Sequence, residues 1–285
     1  MDVYRLFKLM SDRSSHNKRI AKNTLFLYLR MGLVLVVSLF STRVVLQALD
    51  IEDYGINNVV SGFVTMFAFL NTSMSNGVQR FYNFSLGRKN GYSIKDVYNT
   101  ALQIQAILAV TLLVPLETFG MWYIHTQMVI PIDRFAAAQW VFQFSVLSLV
   151  LLVLQIPYSA AIMAYEKMDY YAYLSIFDVL AKLGIAYIIK YTTFDKLILY
   201  GALNMLVSLI CFFLYYGYAK SHFQDLKSDF IIRKQLFKPM LYFSGWNGFG
   251  SFAYMIKSQG LNMLLNVFFG PIVNAARGVS NMVMS

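Results

Sequence analysis

Runs of residues free of Asp, Glu, Lys and Arg recur along the chain at 54–79, 97–116, 135–165, 197–219, 239–256 and 258–276. Two further apolar segments carry isolated charges: 23–49 holds Arg30 and Arg43, and 170–190 holds Asp178 and Lys182. A helix needs about 20 mostly apolar residues to cross a bilayer core of about 30 Å. The pattern therefore predicts helices over 23–49, 55–79, 95–121, 135–165, 170–190, 196–219 and 239–268, with an eighth starting near Ile272. Barrel strands alternate over about 10 residues, which these continuous runs do not. From Ile272 to Ser285 the chain has room for roughly 21 Å of helix at 1.5 Å per residue, short of a full crossing. The expectation is a chain that stops within its eighth helix, as the front part of a longer protein or a truncated product.

Composition agrees with the pattern. Of the 285 residues, 58% are hydrophobic and only 13% charged, about half the usual charge of a soluble domain. The mean hydropathy is +0.54. An ordinary soluble enzyme, a disordered chain and a nucleic-acid-binding domain are excluded on those grounds. The net charge of +10 takes its meaning from where the cations fall. With the N-terminus inside, the inner segments 1–22, 80–96, 165–169 and 220–238 hold 16 Lys and Arg, and the outer turns 50–54, 122–134, 190–196 and 269–271 hold 3. Short loops follow such a bias when they stay in the cytoplasm. The polar, basic first 22 residues are no cleavable signal, and the next apolar segment is long enough to remain an anchor. The organisation expected is a cytoplasmic basic segment at 1–22, a six-helix lobe at 23–219, a cytoplasmic linker at 220–238 and the start of a second lobe at 239–285. No loop is long enough for a folded catalytic domain, so function belongs among the helices.

Several helices are more polar than an anchor needs. The second predicted helix carries Asn57, Asn58, Ser61, Thr65, Asn71, Thr72 and Ser73. Such groups need partners in lipid, either on neighbouring helices or in a wet cavity whose wall would include Asn57, Asn58, Ser61 and Asn71. Ser244 and Gly248 have the four-residue spacing of small residues that lets helices approach closely. The glycines around them would also let that helix bend as a gate. Pro115 and Pro157 are expected to kink their helices.

Charges within spans are costly and mark either a pair or a pathway. Asp178 and Lys182 stand four apart on one helical face and can neutralise each other or serve ion coupling. Arg30 and Arg43 lie near opposite ends of the first span, where long side chains can snorkel. Lys257 and Arg277 complete a set of four cations without an evident local partner. A cavity lined by Arg30, Arg43, Lys257 and Arg277 would suit an anionic passenger such as a phosphate or diphosphate. No enzyme chemistry stands out. His16, His125 and His222 are scattered, the single cysteine Cys211 has no partner, and no phosphate loop or nucleophile motif occurs, so no metal and no cofactor are called for.

Shifting the chain by 219 residues lays Leu46, Val60 and Ser61 on Leu265, Val279 and Ser280. In both places a long helix, a tight turn and another helix follow a basic segment. That pattern fits two repeated lobes around a central site.

The stretches Asp53-Tyr54-Gly55-Ile56, Asn58-Val59-Val60-Ser61-Gly62, Phe69-Leu70-Asn71 and Gln79-Arg80-Phe81 resemble the oligosaccharide-flippase branch of the MOP superfamily. These are polysaccharide-biosynthesis membrane proteins related to MATE efflux pumps and the lipid II flippase. Gln155-Ile156-Pro157-Tyr158, Glu166-Lys167-Met168, Phe269-Gly270-Pro271 and Val273-Asn274-Ala275-Ala276-Arg277-Gly278 are similar to the same branch. The resemblance implies an all-α integral membrane protein, a MOP/MATE-like helical bundle, here its first six-helix lobe and the start of the second. It implies alternating access that carries a lipid-linked, undecaprenyl-diphosphate oligosaccharide to the outer leaflet of a bacterial inner membrane for O-antigen, lipopolysaccharide or other polysaccharide assembly. The partners implied are that lipid-linked oligosaccharide, membrane lipids, a coupling H+ or Na+ and the glycan-assembly machinery. Three other readings stay open: a MATE-like exporter of cationic drugs, a glycan polymerase or ligase, and an inactive truncated chain.

Overall fold

The computed structural model describes residues 3–87, 91–126, 128, 130–226, 235–254 and 257. The protein has an all-α architecture, with no strand among the described residues. Its helices are α1 (Val3–Thr65), α2 (Ala68–Leu86), α3 (Ile94–Pro115), α4 (Met121–Thr126), α5 (Phe135–Ala164), α6 (Met168–Lys190) and α7 (Lys196–His222). Residues 235–254 are helical as well. Among the described residues, five stretches are long and apolar enough to cross a membrane: Asn23–Asp50, Ile94–Thr126, Ile132–Ala164, Met168–Lys190 and Lys196–His222. The chain is a multi-pass membrane protein.

The first two helices meet within the expected 50–54 turn, and the second of them departs from expectation further on. Asp50 has φ 64° and ψ 169°, which is not helical, so α1 is two helices joined at a kink. The kink sends the two parts to different neighbours. Val44, Val45, Ala48 and Leu49 pack with Ile185, Ala186 and Ile189 of α6 and with Val207 of α7. Ile56, Val60 and Val64, beyond the kink, pack instead with Leu112 of α3 and Phe142 and Val146 of α5. The helix expected over 55–79 is interrupted at Met66 and Phe67. There the Phe67 N–H bonds to the Val64 carbonyl, a tightened three-residue step.

Pro115 acts as expected on the helix but through a different distortion. Its ring removes a backbone donor, and Leu116–Gly120 continue as a π-helical turn before α4. α5, by contrast, runs through Pro157 to Ala164. The Pro157 carbonyl accepts a hydrogen bond from the Tyr82 hydroxyl of α2 at 3.3 Å. α5 is the central helix and packs on α1, α2, α3 and α7.

Helix starts are set by local chemistry. Ser93 and Asp96 close a capping box at α3, with Ser93 Oγ accepting from the Asp96 N–H at 3.1 Å. Asp195 caps α7 by accepting from the Leu197 and Ile198 N–H groups at 3.0 and 3.1 Å.

Ser244 and Gly248 do meet a close neighbour, and it is α2. Ser73 donates a hydrogen bond to the Ser244 carbonyl, a Cβ on Gly248 would lie 3.3 Å from Ser73 Oγ, and one on Gly77 would overlap Ser244 Oγ. Two small-residue pairs, each four apart, thus face each other across one crossing. The expected eighth helix, the 269–271 turn and Arg277 lie outside the described residues.

Candidate functional site

Four helices surround a cavity of about 540 Å³. α1 contributes Arg30, Asn57 and Ser61, and α5 contributes Ser145, Ser148 and Gln155. Ser175, Asp178 and Lys182 come from α6, and Tyr200, Asn204, Ser208, Cys211 and Tyr215 from α7. The local reason is periodicity. Steps of three and four residues keep 175, 178 and 182 on one face of α6, and 200, 204, 208, 211 and 215 on one face of α7. Gly201 adds room, since a Cβ there would press on Phe144 at 3.2 Å.

Most of the lining hydroxyls spend their protons inside the wall. Ser145 donates to the Val141 carbonyl at 2.8 Å, Ser148 to Phe144 at 2.8 Å, Ser175 to Tyr171 at 2.9 Å and Ser208 to Asn204 at 3.1 Å. Ser61 donates to Asn57 Oδ1 at 3.2 Å and lies 3.2 Å from Ser145 Oγ. Such a wall is satisfied without the cavity being filled, and its oxygens stay available to water or a polar guest.

Arg30 is held differently. Its guanidinium sits over the Tyr171 ring, 4.7 Å from the centroid. Its Nε is buried with no hydrogen-bond partner, and among the described residues it forms no ion pair. The other charges of the cavity are paired: Lys182 Nζ donates to Asp178 Oδ2 at 2.8 Å. That pair stays accessible, with side-chain exposures of 45% and 32%.

A second charged cluster ties the kink in α1 to the starts of α5 and α7. Arg134 donates from Nη1 to Asp195 Oδ2 at 2.7 Å and from Nη2 to Asp53 Oδ2. The Asp53 side chain is 6% exposed, and its Oδ1 has no partner. Burial pushes the Asp53 carboxyl above the ordinary carboxylate range, although Arg134 opposes that shift. Arg134 entered the sequence reading only as a loop cation. Nothing local points to its carboxylates, which are 81 and 61 residues away.

Of the residues singled out from sequence, the cavity brings together Arg30, Asn57, Ser61, Asp178 and Lys182. Arg43 and Asn58 are exposed and Asn71 half-buried, and none of the three lines it. Lys257 is exposed and also lies apart from it. Arg277 is outside the described residues. The polar faces of α5 and α7 were missed because they carry no charge. The signal was there as Tyr200, Asn204, Ser208, Cys211 and Tyr215 at helical spacing. Among the described residues no group of three His, Cys, Asp or Glu could hold a metal ion.

No protein-family model and no curated protein matches the chain. Its fold is similar to that of a MOP superfamily transporter from Pyrococcus furiosus Vc1 (DSM3638), with a TM-score of 0.65 at 12% sequence identity. The match covers 92% of this chain and 60% of that one, so the chain spans about three fifths of the length of the transporter it matches.

Proposed function

We propose that this chain forms the first lobe, and the start of a second, of a transporter that moves a lipid-linked oligosaccharide across a bacterial inner membrane. The passenger is an undecaprenyl-diphosphate-linked glycan, flipped from the cytoplasmic to the outer leaflet by alternating access, for O-antigen or similar polysaccharide assembly. The N-terminus is cytoplasmic in this reading. One observation carries it: Arg30 presents an unpaired guanidinium beside a cavity walled by hydroxyls and amides. Such a site suits the oxygens of a phosphate and the hydroxyls of a sugar. The likeness of fold to a MOP superfamily transporter supports the transport mechanism. A cation exporter is less well supported, because the one carboxylate lining the cavity, Asp178, is already engaged by Lys182.

Surface-glycan export from cells carrying Arg30→Gln tests the proposal. Export should fall at least about tenfold while the protein stays folded in the membrane, since a lost charge-assisted hydrogen bond is worth about 1.5–3 kcal/mol. Undiminished export with the variant present at the wild-type level would contradict it.

A further inference from the structure

We infer that Asp178 is a resident counter-ion of the cavity, which a phosphate or diphosphate group displaces from Lys182. The inference rests on the transport reading above and adds a role for each charge. Three charged side chains line the cavity: Arg30 on α1, and Asp178 and Lys182 on α6. α5 contributes none, and the ionisable groups that α7 contributes are Tyr200, Cys211 and Tyr215. Asp178 neutralises Lys182, and a single positive charge, that of Arg30, remains uncompensated among these three.

The pair is built to open. Asp178 and Lys182 are four apart on one helix, and both keep about a third or more of their side chains exposed. An exposed pair of this kind adds little to stability. Lys182 carries its ammonium on a flexible stem with three donors, so it can turn to another acceptor without moving α6. A diphosphate brings more charge and more acceptor oxygens than one carboxylate, and charge-assisted bonds to it are the stronger ones. With the ligand held by Arg30, Lys182 leaves Asp178 for the phosphate oxygens. Asp178 then stands beside a bound anion and repels it. It sets the affinity at a level from which the passenger can still be released.

This predicts effects of opposite sign on neighbouring residues. A purely structural ion pair predicts the same sign for both. The test is titration of the purified full chain in lipid nanodiscs with inorganic diphosphate, and separately with polyprenyl diphosphate. Asp178→Asn should bind about tenfold more tightly and Lys182→Gln about tenfold more weakly. The double variant Asp178→Asn/Lys182→Gln should bind more tightly than Lys182→Gln alone, because the repelling carboxylate is gone. That comparison holds even where Asp178→Asn alone does not fold.

Equal losses in both single variants, or no change in either while Arg30→Gln weakens binding, would overturn the displacement and leave the transport reading standing. Unchanged binding in Arg30→Gln as well would remove both. The opposite-sign pattern with inorganic diphosphate, but no binding of the polyprenyl form, would uphold the displacement and refute the lipid-linked passenger.

Discussion

Among the described residues, two clusters each group one arginine with two other charges, and they are organised in opposite ways. Arg134 faces two carboxylates, Asp53 and Asp195, and spends its donors on both. Asp195 also caps α7, so its two oxygens are both committed. Arg30 shares its cavity with Lys182 and a single carboxylate, which Lys182 takes. The first cluster commits its arginine to two carboxylates and joins three helices at one end of the bundle. The second leaves a guanidinium open to whatever enters. Charge within a membrane protein is costly in either form. An arginine spent on neighbouring carboxylates marks an architectural role, and an unspent donor beside a cavity marks a recognition role.

The comparison breaks most visibly at Arg134. Arg134→Ala leaves the nearly buried Asp53 carboxylate without its partner, and a buried acceptor left unsatisfied costs about 1–3 kcal/mol. Denaturant unfolding of the purified protein should show that loss. An unchanged midpoint would mean the cluster is ornamental. Arg30→Gln should do the reverse, leaving the unfolding midpoint in place while diphosphate binding falls about tenfold, or about 1.4 kcal/mol. Calorimetric titration alongside the unfolding curve separates the two effects.

Finer changes sharpen the contrast. Ser93→Ala removes the α3 cap and should cost about 1 kcal/mol, a reference for a purely local architectural contact. Asp195→Asn keeps an oxygen for the α7 cap but removes the charge facing Arg134, at a half-exposed site. It should cost less than about 1 kcal/mol and leave Asp53 and Arg134 paired, read again from the unfolding midpoint.

What could be read from the sequence follows how local each feature is. Apolar runs gave five of the expected spans, because membrane thickness fixes their length, whereas the one expected over 55–79 is not among the five. The four-residue spacing was enough to pair Asp178 with Lys182, and Ser244 and Gly248 as a close-approach face. The kink at Asp50 fell in the expected 50–54 turn, but the break at Met66 and Phe67 carried no glycine, proline or charge of its own to announce it. Pro115 announced a distortion without saying that it would be a π-helical turn. The Arg134 cluster was illegible because its members meet only once α1, α5 and α7 are packed. The cavity was half legible. Its charges stood out against the apolar background, whereas Ser145, Ser148, Asn204 and Ser208 looked like ordinary residues of spanning helices. The grouping of Arg30 with Arg43 and Lys257 rested on charge type alone, and the cavity is lined only by the first of these three.

The central claim is that the space between α1, α5, α6 and α7 is a wet site for an anion. Cys211 lines that space and is the chain's single cysteine, which makes it a built-in reporter. The direct measurement is the rate at which a charged thiol reagent labels Cys211 in the membrane-embedded protein, with and without inorganic diphosphate. Labelling that proceeds and is slowed several-fold by diphosphate, with the slowing lost in Arg30→Gln, is the result expected. A Cys211 that reacts at one rate whatever the diphosphate concentration would contradict the account.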